Sequence, residues 1–158
     1  MTHPNEDLLD RFYGAFQQLD AETMAACYAP GATFSDPVFP NLSGEEAGDM
    51  WRMLTARAQD FRVELPERRA DDSSGTARWI ARYTFTQTGR PVVNDVRASF
   101  RFHDGLIVEH LDSFDFHRWA RQALGPAGLL LGWTPFLRAK VQDQARAGLY
   151  AFKAERGR

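Results

Sequence analysis

A chain of 158 residues, 44% apolar and 25% charged, has the make-up of one ordinary globular domain and is long enough to bury a core. A formal net charge of −2, with the 19 Lys and Arg scattered along the sequence, leaves no electrostatic footprint for nucleic acid. The longest apolar run, around Leu129–Trp133, is too short to span a bilayer. The polar, acidic opening Met1–Asp7 has no signal-peptide pattern, so a cytoplasmic protein with no membrane partner is expected. Cys27 is the single cysteine. It cannot form an intramolecular disulfide and reads as a buried structural thiol.

Pro4, Glu6 and Asp7 are helix-start chemistry, and Leu8, Leu9, Phe12, Phe16 and Leu19 recur at three- and four-residue steps, predicting a helix to about Gln18. Asp20 can cap a second short helix carrying Met24, Cys27 and Tyr28, which Ala29-Pro30-Gly31 ends. A short strand, 32–35, runs into Asp36-Pro37. Ser43 and Glu46 form a capping-box pair before a helix with Met50, Trp51 and Leu54 on one stripe. The period then changes to two. Strands are expected around 61–65, 76–86, 92–102 and 106–114, the last three joined by short turns as an antiparallel meander. Helices first and strands later indicate an α+β fold, the helices packed on one face of a curved sheet.

Alternation divides each strand into two faces. Trp79, Ala81, Tyr83 and Phe85 share the inner face with Val92, Asn94, Val96, Ala98, Phe100 and Phe102, and with Leu106, Val108, His110, Asp112 and Phe114. The outer face carries charges among Ile80, Val93, Ile107 and Leu111. Four inner groups are polar: Asn94, His110, Asp112 and the Tyr83 hydroxyl. Burying such groups unpaired costs about 1–3 kcal/mol each, so they are either satisfied internally or line something wet. Asp36 stands at the edge of the same space. Each has a structural alternative: Asp36 as a turn residue capping backbone amides, Asp112 as half of an ion pair, His110 as a satisfied core histidine. No histidine or cysteine spacing suits a metal, and no Gly-rich phosphate loop or nucleophile elbow is present, so no cofactor is expected.

The order helix, helix, short strand, helix, four strands, with Arg11-Phe12-Tyr13, Tyr28 through Pro37, and Phe100-Arg101-Phe102 through Asp112-Ser113-Phe114-Asp115, resembles the nuclear transport factor 2-like superfamily. That group includes ketosteroid isomerase, limonene-epoxide hydrolase and the SnoaL-like polyketide cyclases. The resemblance covers about Leu8 to Phe116 and implies a cone-shaped α+β domain with one mostly apolar pocket. By that resemblance Asp36 matches the proton-moving carboxylate of ketosteroid isomerase, whereas Phe12 and Ala98 stand where that enzyme has its oxyanion donors. Asp112, in Leu-Asp-Ser-Phe-Asp, matches the catalytic acid of the hydrolase and cyclases. Trp79 and Ala81 replace the hydrolase's arginine and second aspartate.

The domain organisation expected is therefore 1–116 as the cone and 117–158 as a helical extension. Its last helix, begun by Thr134-Pro135, carries Leu137, Val141, Ala145, Leu149 and Phe152 on one stripe, as a lid or a dimer contact; a membrane-surface helix is the runner-up, set aside because the tail is not strongly basic on one face. The functional expectation is a homodimer binding a small apolar or partly polar molecule, with isomerase, cyclase or hydrolase-type acid–base chemistry. Asp36, Asp112 and His110 are the catalytic candidates, and Tyr13, Trp79, Tyr83, Asn94 and Phe100 the ligand-binding ones. A non-catalytic binding or scaffold domain is the alternative from another class.

Overall fold

Side-chain caps start most of the helices in the computed structural model, which describes residues 1–157. Helix α1, Pro4–Gln17, is closed by His3, whose Nδ1 accepts from the Asn5 amide at 3.0 Å while Glu6 reaches back to the His3 amide. Asp20 caps the short α2, Ala21–Ala26. Ser43 and Glu46 exchange hydrogen bonds of 3.1 Å at the start of α3, Gly44–Arg57, as the capping-box pattern predicts.

Strand β1 spans Tyr28–Ser35 and β2 only Leu42–Ser43. The long strands β3 (Arg62–Ala70), β4 (Ser74–Phe85), β5 (Arg90–His103) and β6 (Leu106–Ser113) follow α3. They join in one six-stranded sheet of order β2-β1-β6-β5-β4-β3. The meander is antiparallel throughout, and β1 lies parallel to β6. This is the expected α+β architecture, with two local corrections. Tyr28 is not helical: α2 stops at Ala26, and Tyr28 opens β1 opposite Ile107. Pro30 and Gly31 read as a terminator, but the ladder absorbs them in an irregularity between Tyr28 and Thr33, with Gly31 at φ 78° where a side chain would be strained.

The second correction is Ile107. Simple alternation puts it on the outer face, but a bulge between Arg101 and Phe102 pairs Phe102 with Ile107 and turns Ile107 into the core. Beyond the bulge the expected inward set returns, with His110 and Asp112 buried and Leu111 exposed.

Helices α1 to α3 bury Leu9, Phe12, Met50 and Trp51 against Phe34, Val96, Phe100 and Ile107 of the sheet. Each such side chain contributes roughly 2 kcal/mol by leaving water. The extension forms α4 (Phe116–Leu124), α5 (Pro126–Leu131) and α6 (Pro135–Glu155). A second cluster, Val92, Phe116, Trp119, Ala120, Ala123 and Leu137, fastens α4 and α6 to β5. Farther along α6, Leu149 and Phe152 join the main core and Val141 is half-buried, the stripe read from the sequence. Val38, Tyr83 and Phe114 touch both clusters, and an internal cavity lies where the two meet. Among the described residues no helix is long and apolar enough to cross a membrane.

Candidate active site

The cavity has a volume of about 480 Å³ and is walled mainly by apolar side chains, among them Phe16, Phe61, Trp79, Phe85, Phe114, Trp119 and Leu137. Its exposed rim is made by Leu54 and Arg57 at the end of α3, by Gln59 just after it, by Thr86 and Gln87 at the β4–β5 turn, and by Ala127, Lys140 and Gln144 of the extension. Helix α6 therefore roofs the pocket. Gln142 pins it by donating to the carbonyl of Pro37 at 2.9 Å, beside Asp36.

Two carboxylates line this apolar space, Asp36 and Asp112. Asp36 caps a turn and also lines the cavity. Its Oδ1 accepts from the amides of Val38 at 2.7 Å and Phe39 at 2.6 Å, a turn-capping role, while the residue faces the cavity. Desolvation pushes its pKa up to about 6, and the charge of Asp112 adds to the rise; the two amide bonds and His110 oppose it.

Asp112 is held from behind. His110 Nε2 lies 2.8 Å from Asp112 Oδ1, and His110 Nδ1 lies 2.8 Å from the Tyr28 hydroxyl. The Tyr28 oxygen also receives the indole N–H of Trp51 at 3.0 Å. An indole can only donate, so the Tyr28 oxygen accepts from Trp51 and its own proton is free to go to His110 Nδ1. In a neutral imidazole that arrangement makes Nδ1 the acceptor from Tyr28 and Nε2 the donor to Asp112. All four groups are buried, and hydrogen bonds join Trp51 to Tyr28, Tyr28 to His110 and His110 to Oδ1 of Asp112. Burial also drives the Tyr28 pKa well above its ordinary value, so its hydroxyl stays protonated.

Residues that carry hydrogen-bond donors line the same cavity as the carboxylates. Tyr83 accepts from the Trp119 indole at 2.9 Å, which leaves its hydroxyl proton for the cavity; burial pushes its pKa up to about 12. The Asn94 amide lines the cavity with no hydrogen-bond partner among the described residues. Trp79 Nε1 is buried and also lacks a partner.

Of the residues singled out from sequence, Asp36, Asp112, Trp79, Tyr83 and Asn94 line one cavity. His110, Tyr13 and Phe100 do not line it. Phe100 packs on the His110 ring with centroids 4.4 Å apart, and Tyr13 is sealed against Trp79 and Phe100 with its hydroxyl unpartnered. They support the site from behind the wall. Tyr28 and Trp51, which complete the hydrogen-bonded series, were missed as site residues because one reads as helical and the other as a core stripe. Among the described residues no cluster of His, Cys, Asp or Glu could hold a metal ion.

The SnoaL-like domain profile matches residues 9–110, most of α1, all of α2 and α3, and nearly all of the sheet. No curated protein sequence matches the chain. Solved structures share the fold. An NTF2-like protein of unknown function from Burkholderia pseudomallei is 19% identical with a TM-score of 0.68, covering 77% of this chain and 98% of its own. An LEH-like epoxide hydrolase from M. tuberculosis is 20% identical with a TM-score of 0.65, covering 82% and 97%. IdmH, a polyketide cyclase candidate from Streptomyces antibioticus, is 25% identical with a TM-score of 0.64, covering 76% and 98%.

Proposed function

The chain belongs to the SnoaL-like domain family, and from that premise we propose that it is a cofactor-free acid–base enzyme acting on a small, mostly apolar carbonyl compound. The observation that carries this reading is the placement of two carboxylates, one with its pKa raised to about 6, in a single apolar cavity beside unpartnered hydrogen-bond donors. A carboxylate of that basicity is matched to proton transfer near neutral pH.

Asp36 takes a proton from carbon next to the carbonyl. The electron pair moves onto the carbonyl oxygen, where the Tyr83 hydroxyl and the Asn94 amide can donate to the developing negative charge. Returning the proton to another carbon isomerises the substrate; attack of the enolate carbon on a second carbonyl cyclises it. Asp112, oriented by His110, is the second acid or base. Hydration or hydrolysis is the related alternative, in which one carboxylate activates water instead. The outer sheet face, with Ile80, Val93 and Leu111, is assigned to a homodimer contact.

Proton exchange tests the reading without knowledge of the natural substrate. Bicyclic aromatic ketones and β-diketones are incubated with the protein in deuterium oxide and examined by mass spectrometry. Deuterium gain next to the carbonyl with wild type, lost in Asp36→Asn, is the expected result. Tight binding of these ketones with no exchange would assign the pocket to a non-catalytic ligand-binding domain.

A further inference from the structure

Five large apolar side chains stand in solvent within one short stretch of the extension: Leu129, Leu130, Leu131, Trp133 and Phe136, the last two each 73% exposed. This corner is a fixed shape. Gly128 lets α5 press on the backbone of α4 at Ala120, the Trp133 indole donates to the Leu130 carbonyl at 3.1 Å, and Thr134 caps α6. An apolar cluster of this kind on an ordered surface marks a contact site.

The charge around it says what it contacts. From Phe116 to Gln142 every Asp, Glu, Lys or Arg is basic: Arg118, Arg121, Arg138 and Lys140, in a chain whose net charge is −2. Arg118 acts on Asp95 of the sheet, but Arg90 of β5 also reaches this corner, donating to the Gln122 carbonyl at 2.8 Å. In a twofold contact between two copies these cations would face their own counterparts with no acid from the same stretch to offset them. Their natural complement is a surface of negative charge with an apolar layer beneath it.

We propose that this corner docks on an anionic lipid surface, with Leu129–Phe136 entering the boundary between headgroups and acyl chains and Arg90, Arg121, Arg138 and Lys140 near the headgroup charge. Ala127, Leu137 and Lys140, which flank the apolar stretch in sequence, line the cavity. Docking therefore brings the mouth of an apolar pocket to the phase in which apolar ligands concentrate. No single helix face is strongly basic, because the cations come from β5, α4 and α6; for that reason the sequence alone pointed away from a membrane partner.

Sedimentation of the full chain with vesicles is the test, using phosphatidylcholine alone and phosphatidylcholine with roughly one third phosphatidylglycerol. Binding to the anionic vesicles is expected, weakened at least about fivefold by high salt or by omitting phosphatidylglycerol. Leu130→Asp with Phe136→Asp should keep the wild-type melting temperature, since both side chains are exposed, and weaken binding by about tenfold or more. The proposal is overturned by absence of binding to anionic vesicles, by equal binding to both lipids, or by unchanged binding of the double variant. It is also overturned if light scattering shows a dimer that the double variant dissociates while vesicles are not bound, because the occupant is then a second copy. None of these readouts depends on catalysis by Asp36.

Discussion

The hydroxyl of Tyr28 meets Nδ1 of His110 at 2.8 Å, joining residues 82 positions apart on two parallel neighbouring strands. The bond joins the Trp51–Tyr28 hydrogen bond to the His110–Asp112 pair, and with the stacked Trp51 ring it orients the imidazole behind the cavity.

Tyr28→Phe removes that link while keeping the ring's volume. Trp51 Nε1 and His110 Nδ1 are then left buried without partners, which should cost about 2–4 kcal/mol of stability. Thermal or denaturant unfolding reads the loss. Nitrogen NMR of wild type should show His110 protonated at Nε2 and unprotonated at Nδ1; the opposite tautomer would reverse the direction assigned to the series.

The extension depends on a close approach that only glycine allows. A Cβ at Gly128 would lie 1.9 Å from the Ala120 carbonyl oxygen, a backbone atom that cannot step aside. Gly128→Ala is predicted to separate α5 from α4 and to lower stability by about 1–3 kcal/mol, measured by urea unfolding. Gly31→Ala offers a contrast, since no atom lies within 4 Å of its Cβ and only its φ of 78° opposes the change.

Much of this architecture was legible because it rests on local chemistry. Ser43 and Glu46 mark a helix start in any context, and alternation from Val92 to Phe102 identifies the buried face of β5 without knowledge of its neighbours. Tyr28 was not legible, because Pro30 and Gly31 carry the signature of a terminator and only pairing with β6 makes the segment a strand. Ile107 was misplaced for a related reason: a bulge shifts alternation by one residue, and nothing within Leu106–His110 announces it. For the site, the cavity-facing polar residues followed from strand parity. The support of His110 by Tyr28 and Trp51 did not, since it joins three elements far apart in sequence.

Leu111 is 48% exposed on the outer face of β6, with half-buried Ile80 and Val93 on the same face of the sheet. If that face is the dimer contact, light scattering gives twice the chain mass at micromolar concentration, and Leu111→Asp gives the monomer. A wild-type monomer removes the assignment.

The last prediction concerns the acidity of Asp36, on which the proposed chemistry depends. Its carboxyl carries an ordinary value of 3.8 in the unfolded chain and about 6 in the fold, raised first by desolvation and further by the charge of Asp112. Between those values the native state holds a proton that the unfolded chain has released, so the Asp36 contribution to stability is fully present below about pH 4 and is lost as pH rises through 6. The shift corresponds to about 3 kcal/mol. Other carboxyls act in the opposite sense: Asp20, Asp71 and Asp95 are held below their ordinary values by hydrogen bonds and, for Asp95, by Arg78. The comparison must therefore be wild type against Asp36→Asn, whose amide oxygen can keep the bonds from Val38 and Phe39. The variant should gain on wild type by up to about 3 kcal/mol between pH 4 and neutrality, read from denaturant unfolding across that range. Carbon NMR should place the Asp36 midpoint near 6 and move it down in Asp112→Asn, where the neighbouring charge is gone. In the exchange reaction Asp36 must be unprotonated, so kcat/KM should rise with pH to a plateau above about 6. A midpoint near 4 that ignores Asp112 would return Asp36 to the role of a turn residue and leave the cavity without its base.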